Sequence, residues 1–213
     1  MTSITILGGT GYTGRNVARE AVSRGHEVTS FSRHAPEAPV EGARYLTGAI
    51  SDQLAGLVDA SDVVIGALAP AGELEAGLRG VYSELSRLAA TKGKRIGIVG
   101  GYSALRSAPG AERFAYTGDV PPQFALAARV MAEVVDDLEN NSEPGLDWFY
   151  ISPAAGYGSY APGEKLGRYR TNGNVAIYEA DGSSTISGAD FATAIVDEIE
   201  TPSHSRQHFG VAN

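Results

Sequence analysis

Ser3-Ile4-Thr5-Ile6-Leu7-Gly8-Gly9-Thr10-Gly11-Tyr12-Thr13-Gly14 is the stretch that decides the fold. An apolar run of strand type, Ser3–Leu7, passes directly into a turn in which Gly8, Gly11 and Gly14 stand three residues apart. A helical pattern follows. The spacing has a geometric reason. One glycine permits the sharp strand-to-helix turn, one lets a pyrophosphate approach the backbone, and one lets the helix pack close to the strand. The N–H groups and dipole at the head of a helix then favour negative charge. A glycine triplet alone can be a simple turn. Between a first strand and a first helix, at the head of a strand–helix series, it points to a dinucleotide.

That series runs through two-thirds of the chain. Strand candidates are Ser3–Leu7, Glu27–Phe31, Arg44–Thr47, Asp62–Leu68, Arg95–Val99 and Asp147–Ile151. Between them Leu74, Leu78, Val81, Leu85 and Leu88 step by four and three, as do Phe124, Ala128, Met131, Val135 and Leu138. Each set predicts one buried stripe on a helix. Strands alternating with helices predict an α/β fold, a Rossmann-type doubly wound parallel sheet with helices on both faces. On this reading Phe124 is core, and Phe124→Ala should cost about 3–5 kcal/mol. The last third differs. Asn172-Gly173 and Asp181-Gly182 are hairpin-type turn signals flanking Val175–Tyr178. Ser187 with Asp190 resembles a capping box opening a last helix with apolar face Ala192, Ile195, Val196 and Ile199. A closing strand is predicted around Gln207–Val211. No repeat or linker divides the chain, so residues 1–213 read as a single domain, with residues 152–213 forming a small C-terminal extension on the substrate side.

Composition narrows the function. Among 213 residues, 17 Lys and Arg face 25 Asp and Glu, for a net charge of −8. That balance argues against a nucleic-acid partner. The absence of cysteine excludes a disulfide framework, a thiol nucleophile and a Cys-ligated metal. Glycine, at 27 residues, stands at roughly twice its ordinary share. No basic leader with a cleavage-type segment follows Met1, and Val63–Ala69 stops at Pro70, short of the ~20 residues of a membrane span. The expectation is a cytoplasmic protein without a membrane partner.

The end of the second strand bears on which dinucleotide is bound. A carboxylate there would meet the adenosine ribose hydroxyls of NAD. Here the strand ends Ser30-Phe31-Ser32-Arg33-His34, with no carboxylate before Glu37. Arg33 is placed to meet a 2′-phosphate with a two-pronged contact, and Ser32 to donate a further bond. NADP(H) is the expected cofactor, with NAD(H) the alternative. Arg15 reads equally as a helix-surface residue.

A glycine triplet after strand one of a parallel sheet suggests the short-chain dehydrogenase superfamily, whose usual active site is a Tyr with a Lys four residues later. None of the ten tyrosines here has that lysine. At the opening of the helix after strand five, where the pair belongs, stand Phe124 and Ala128. No Gly-x-Ser-x-Gly elbow, Walker-type loop or His-Glu-x-x-His occurs. His204 and His208 read as surface residues rather than a metal pair, and no metal is expected. Lys165, Arg168 and Arg170 form a small basic cluster, read as a solvated hairpin face or as a place for an anionic substrate.

Beyond these residues, the sequence resembles the atypical short-chain dehydrogenases of NmrA-like type, and among them the small NAD(P)H–flavin-reductase-like proteins related to biliverdin reductase B. The resemblance rests on Gly8–Gly14, on Arg24-Gly25-His26-Glu27-Val28-Thr29 with Arg33, and on Val99-Gly100-Gly101 with Ser103 and Leu105. Asp147-Trp148-Phe149-Tyr150-Ile151-Ser152-Pro153-Ala154 and Ile186-Ser187 with Asp190 complete it. It implies that Gly8, Thr10, Gly11, Tyr12, Thr13 and Gly14 hold the pyrophosphate, and Ser32 and Arg33 the 2′-phosphate. It places Leu68, Ala69, Gly100 and Gly101 along the cofactor, and Pro153 near the nicotinamide. Ala49 stands where relatives often carry an aspartate facing the adenine, which leaves that contact to the backbone of Ile50.

The leading reading is an NADPH-dependent reductase passing hydride to a flat, small-molecule acceptor such as FMN or riboflavin. Ser103 and Tyr102 are the expected catalytic-site residues, and the loop Gly156-Tyr157-Gly158-Ser159-Tyr160 a further wall. Alternatives are an NADP(H)-sensing regulatory protein without turnover and a nucleotide-sugar epimerase-like enzyme. A monomer or homodimer is expected.

Overall fold

The computed structural model describes residues 1–213, the side chain of residue 73 excepted. The strands are β1 (Ser3–Leu7), β2 (Glu27–Ser32), β3 (Arg44–Thr47), β4 (Val63–Gly66), β5 (Arg95–Val99), β6 (Trp148–Pro153), β7 (Arg170–Asn172) and β8 (Gln207–Ala212). They make one sheet in the order β3-β2-β1-β4-β5-β6-β8-β7. All neighbours are parallel except β7, which runs antiparallel to β8. The helices are α1 (Tyr12–Ser23), α2 (Ile50–Asp59), α3 (Leu78–Lys92), α4 (Pro122–Asn141) and α5 (Gly188–Glu200). This is a Rossmann-type doubly wound sheet.

Two cores sandwich the sheet because successive strand residues point to opposite faces. Phe149 and Ile151 of β6 join Val17 and Ala21 of α1 and Phe191 and Ile195 of α5. Trp148 and Tyr150 join Leu57 of α2, Leu85 of α3 and Val135 of α4 on the other face. Burying a side chain such as Phe149 contributes about 1.5–3 kcal/mol. Helix α5 begins where the capping signal put it. Ser187 Oγ accepts from the Asp190 amide at 3.0 Å, and Ala192, Ile195, Val196 and Ile199 are all buried. A cap of this kind is worth about 0.5–2 kcal/mol.

Three expectations are corrected. Met131, Val135 and Leu138 of α4 are buried, but Phe124 is 59% exposed. No residue of α4 before Met131 is buried, so its opening turns leave the core uncovered and Phe124 lines a cleft instead. The segment around Val175 forms no hairpin strand. Asn174 and Ala176 exchange backbone bonds with Arg106, from the connection after β5, and β7 forms upstream instead. His208 is not a surface residue. It lies on β8, the penultimate strand, and is buried against Tyr150.

Candidate functional site

The sheet order reverses between β1 and β4: the chain builds outward from β1 to β2 and β3, then crosses to β4 on the other side. In open parallel sheets ligands settle at that crevice, outside the C-terminal ends of the strands. The glycine turn lies there. Its first amides are held by the end of β2: Gly8 N and Gly9 N donate to Phe31 O at 2.8 and 3.3 Å, and Thr10 N to Ser32 Oγ at 3.1 Å. Gly8 has φ +84°, and a Cβ there would run into the carbonyl of Ala67 at the end of β4. A Cβ on Gly9 would collide with Ser30, and one on Gly14 with the backbone of Gly8 and Gly9. Each glycine is therefore required by a close approach. Gly11 is the N-cap of α1 and no side chain caps the helix. A cradle kept open to this degree at an uncapped helix head suits a pyrophosphate.

Arg33 follows β2 and is exposed, reaching toward Gly72 in the loop after β4. Ser32 Oγ accepts from the Thr10 amide, which leaves its own hydrogen to donate elsewhere. Ile50 opens α2 and packs half-buried on the core. Pro153 closes β6 and is buried.

Next to the glycine turn is a cleft of about 300 Å³ lined by Thr13, Leu68, Ala69, Gly100, Gly101 and Ser103, with Phe124, Ala127, Ala128 and Met131 of α4 opposite. Two buried tyrosines stand behind its lining residues. Tyr82 accepts from the Leu68 amide at 3.1 Å and fills the space a Cβ on Gly66 would need. Tyr150 donates to Met131 O at 2.8 Å and lies against Gly100 so closely that a Cβ there would strike its ring. Burial raises both phenols above their ordinary pKa, so they act as neutral props. Ser103 reaches the cleft from a short 3-10 turn, Tyr102–Ala104. Tyr102 does not line it: its ring stacks on Phe114 at 5.0 Å and its hydroxyl bonds that of Tyr178. Nor is Tyr157 a free wall, because its hydroxyl meets Thr13 Oγ1 at 2.7 Å.

Sequence reasoning missed the device that joins the two walls. Arg113 is 1% exposed. It donates to Ala104 O at 2.8 Å, next to Ser103, and to Asp136 and Glu139 of α4 at 2.8 and 2.7 Å. It also meets His208 Nδ1 at 3.0 Å, and His208 Nε2 meets Ser152 Oγ at 2.9 Å. A guanidinium only donates, so Nδ1 must accept and Nε2–H must donate to Ser152. Burial, followed by the charges of Arg113 and Arg106, pushes the His208 pKa well below its ordinary value. The basic cluster has partners of its own: Lys165 pairs with Glu20 at 3.2 Å, and Arg170 bonds Glu179 and Asn213 O.

Comparison with known proteins gives the family. Residues 8–202 match the NAD(P)H-binding family. The chain belongs to that family. The Bacillus subtilis (strain 168) protein YwnB, itself uncharacterized, is 29% identical over 212 residues, covering 99% of this chain and 98% of its own. A Burkholderia pseudomallei structure named "putative exported protein" is 32% identical with a TM-score of 0.85, and the match covers both chains in full. The Streptococcus pneumoniae TIGR4 protein SP1627, named a "putative NADH-flavin reductase", is 26% identical with a TM-score of 0.84, again over both full chains. No helix among the described residues is long and apolar enough to cross a membrane.

Proposed function

We propose that this NAD(P)H-binding protein is an NADPH-dependent reductase of a flat acceptor such as FMN or riboflavin. The observation that carries the reading is the pair Phe124 and Ala128, which face the cleft from the opening of α4. At the place where a dehydrogenase of this fold keeps its Tyr and Lys, this chain presents an apolar wall. A ketone needs a proton delivered to its developing alkoxide. A reduced flavin can stay anionic or take its proton from solvent, so stacking suffices.

Reduced nicotinamide, when bound, supplies the hydride. The residues of the chain do the rest. The glycine cradle and Arg33 hold the dinucleotide, with Arg33 selecting the 2′-phosphate. Phe124, Ala127 and Met131 exclude water and offer an apolar surface to a planar ring. Ser103 orients the acceptor through its hydroxyl and transfers nothing. The name carried by the pneumococcal relative supports the flavin acceptor, and the lack of a Tyr-x-x-x-Lys pair in the sequence supports a reaction that needs no such proton donor.

The test is loss of NADPH absorbance across a panel of flavins, quinones and simple carbonyls. Turnover is expected with FMN or riboflavin and not with ketones, and Ser103→Ala should lower it only modestly. Tight NADPH binding without turnover on any flavin or quinone would overturn the enzyme and favour a sensor. Turnover of a nucleotide sugar would favour an epimerase.

A further inference from the structure

The loop after β6 touches the phosphate cradle at two polar points, and none of the roles assigned so far uses them. Tyr157 Oη and Thr13 Oγ1 lie 2.7 Å apart across 144 residues of chain. Thr13 is the second residue of α1, at the uncapped head of the helix, and it lines the cleft. The Tyr157 ring cannot swing away freely. It packs edge-on against Tyr12 at 5.5 Å and against the fully buried Phe191 of α5 at 4.7 Å. Tyr12 in turn donates to Pro162 O at 3.4 Å, further along the same loop.

We infer that Tyr157 is a cofactor-positioning residue, whose hydroxyl aims that of Thr13 at the dinucleotide pyrophosphate. The reasoning is an inventory of hydrogens. Each hydroxyl has one hydrogen to give, and either can be the donor when the cradle is empty. A pyrophosphate has only acceptors. With an anion at the head of α1, the Thr13 hydrogen goes to that anion, and Thr13 Oγ1 is left to accept. Tyr157 is the donor already in place. Burial holds its phenol above the ordinary tyrosine pKa, so it keeps that hydrogen at any working pH. The resulting chain, phenol to threonine to anion, is polarised in one direction and each bond strengthens the next. Tyr157 thus serves the cofactor, and not the acceptor stacking that its place in an aromatic loop suggests.

Because the pyrophosphate is common to both nucleotides, the contribution is blind to the 2′-phosphate. Dissociation constants for NADPH and NADH, measured by titration calorimetry, test this without any turnover. Tyr157→Phe removes one oxygen and leaves the ring packed. It should weaken both nucleotides by about three- to tenfold, the range of one hydrogen bond. On a Thr13→Val background the same change should cost nothing further. Unchanged affinities in Tyr157→Phe would overturn the inference, and so would an undiminished Tyr157→Phe loss on the Thr13→Val background. The second result would also expose a merely structural role, whatever happens to the melting temperature of the ligand-free variant. If the unmutated chain bound neither nucleotide, the inference would fall together with cofactor binding itself, an outcome distinct from failure of the variants alone.

Discussion

The phosphate cradle and the opposite wall of the cleft are built by different rules. The cradle occupies seven consecutive residues, 8–14, and its shape follows from places where a Cβ cannot fit. The wall draws on residues 103, 124 and 128, set in place by Arg113, Tyr150 and His208. One site is local backbone geometry and the other is a polar network closed across four elements. Each is vulnerable in its own way: the cradle to an added carbon at Gly8, Gly9 or Gly14, the wall to loss of a buried partner far from the cleft.

The largest effect should come from Arg113. Arg113→Met removes a buried guanidinium and strands His208 Nδ1 and Ala104 O without a donor. Breaking a buried ionic contact in this way costs about 3–5 kcal/mol, read as the shift of a urea unfolding curve. A loss under about 1 kcal/mol would show that the wall does not depend on this network.

Arg33 sharpens the contrast from the cradle side. Arg33→Glu should weaken NADPH at least tenfold, as expected for a charge-assisted phosphate contact, while sparing NADH. Equal affinity for the two nucleotides in the unmutated protein would remove the 2′-phosphate from the argument.

The wall should also be sensitive to acid. His208 is held neutral in the folded state, with its pKa well below 6.5, whereas the unfolded chain takes up a proton near 6.5. Below that pH the unfolded state binds the extra proton, so stability falls as pH drops and is restored as pH rises. The slope is about 1.4 kcal/mol per pH unit between roughly pH 6 and 5, above the range where carboxylates titrate. Unfolding midpoints measured over that window should flatten in His208→Gln; an equal slope in both proteins would break the assignment.

The smallest expected effect is on stability at Phe124. Exposed as it is, Phe124→Ala should change stability by less than about 1 kcal/mol. It should raise KM for FMN by about 2- to 10-fold, the worth of one aromatic contact, with kcat held. A stability loss of several kcal/mol would restore the core reading of this residue.

The same division separates what could be read in advance. Gly8–Gly14 after an apolar strand, strand–helix alternation and the Ser187–Asp190 cap are short-range patterns. They depend on backbone geometry and helix period, so they gave the sheet, the crevice and the start of α5. The position of Arg33 directly after β2 was legible for the same reason, being tied to a strand end. Phe124 misled because its spacing fits the stripe of α4, and periodicity cannot tell how far a helix overhangs the sheet it packs on. Val175 misled because turn signals do not say which backbone will take its hydrogen bonds. Tyr102 and Tyr157 looked alike as aromatic loop residues. Only packing sends one to Phe114 and the other to Thr13. Arg113 gave no signal and His208 misled as a surface residue, since a buried guanidinium is recognised by partners 9 to 95 residues away. Local sterics and periodicity settled the fold and the glycine turn from the amino acids in order. The opposite wall of the cleft was decided by tertiary structure, because burial and polar pairing belong to contacts that exist only once the chain has closed.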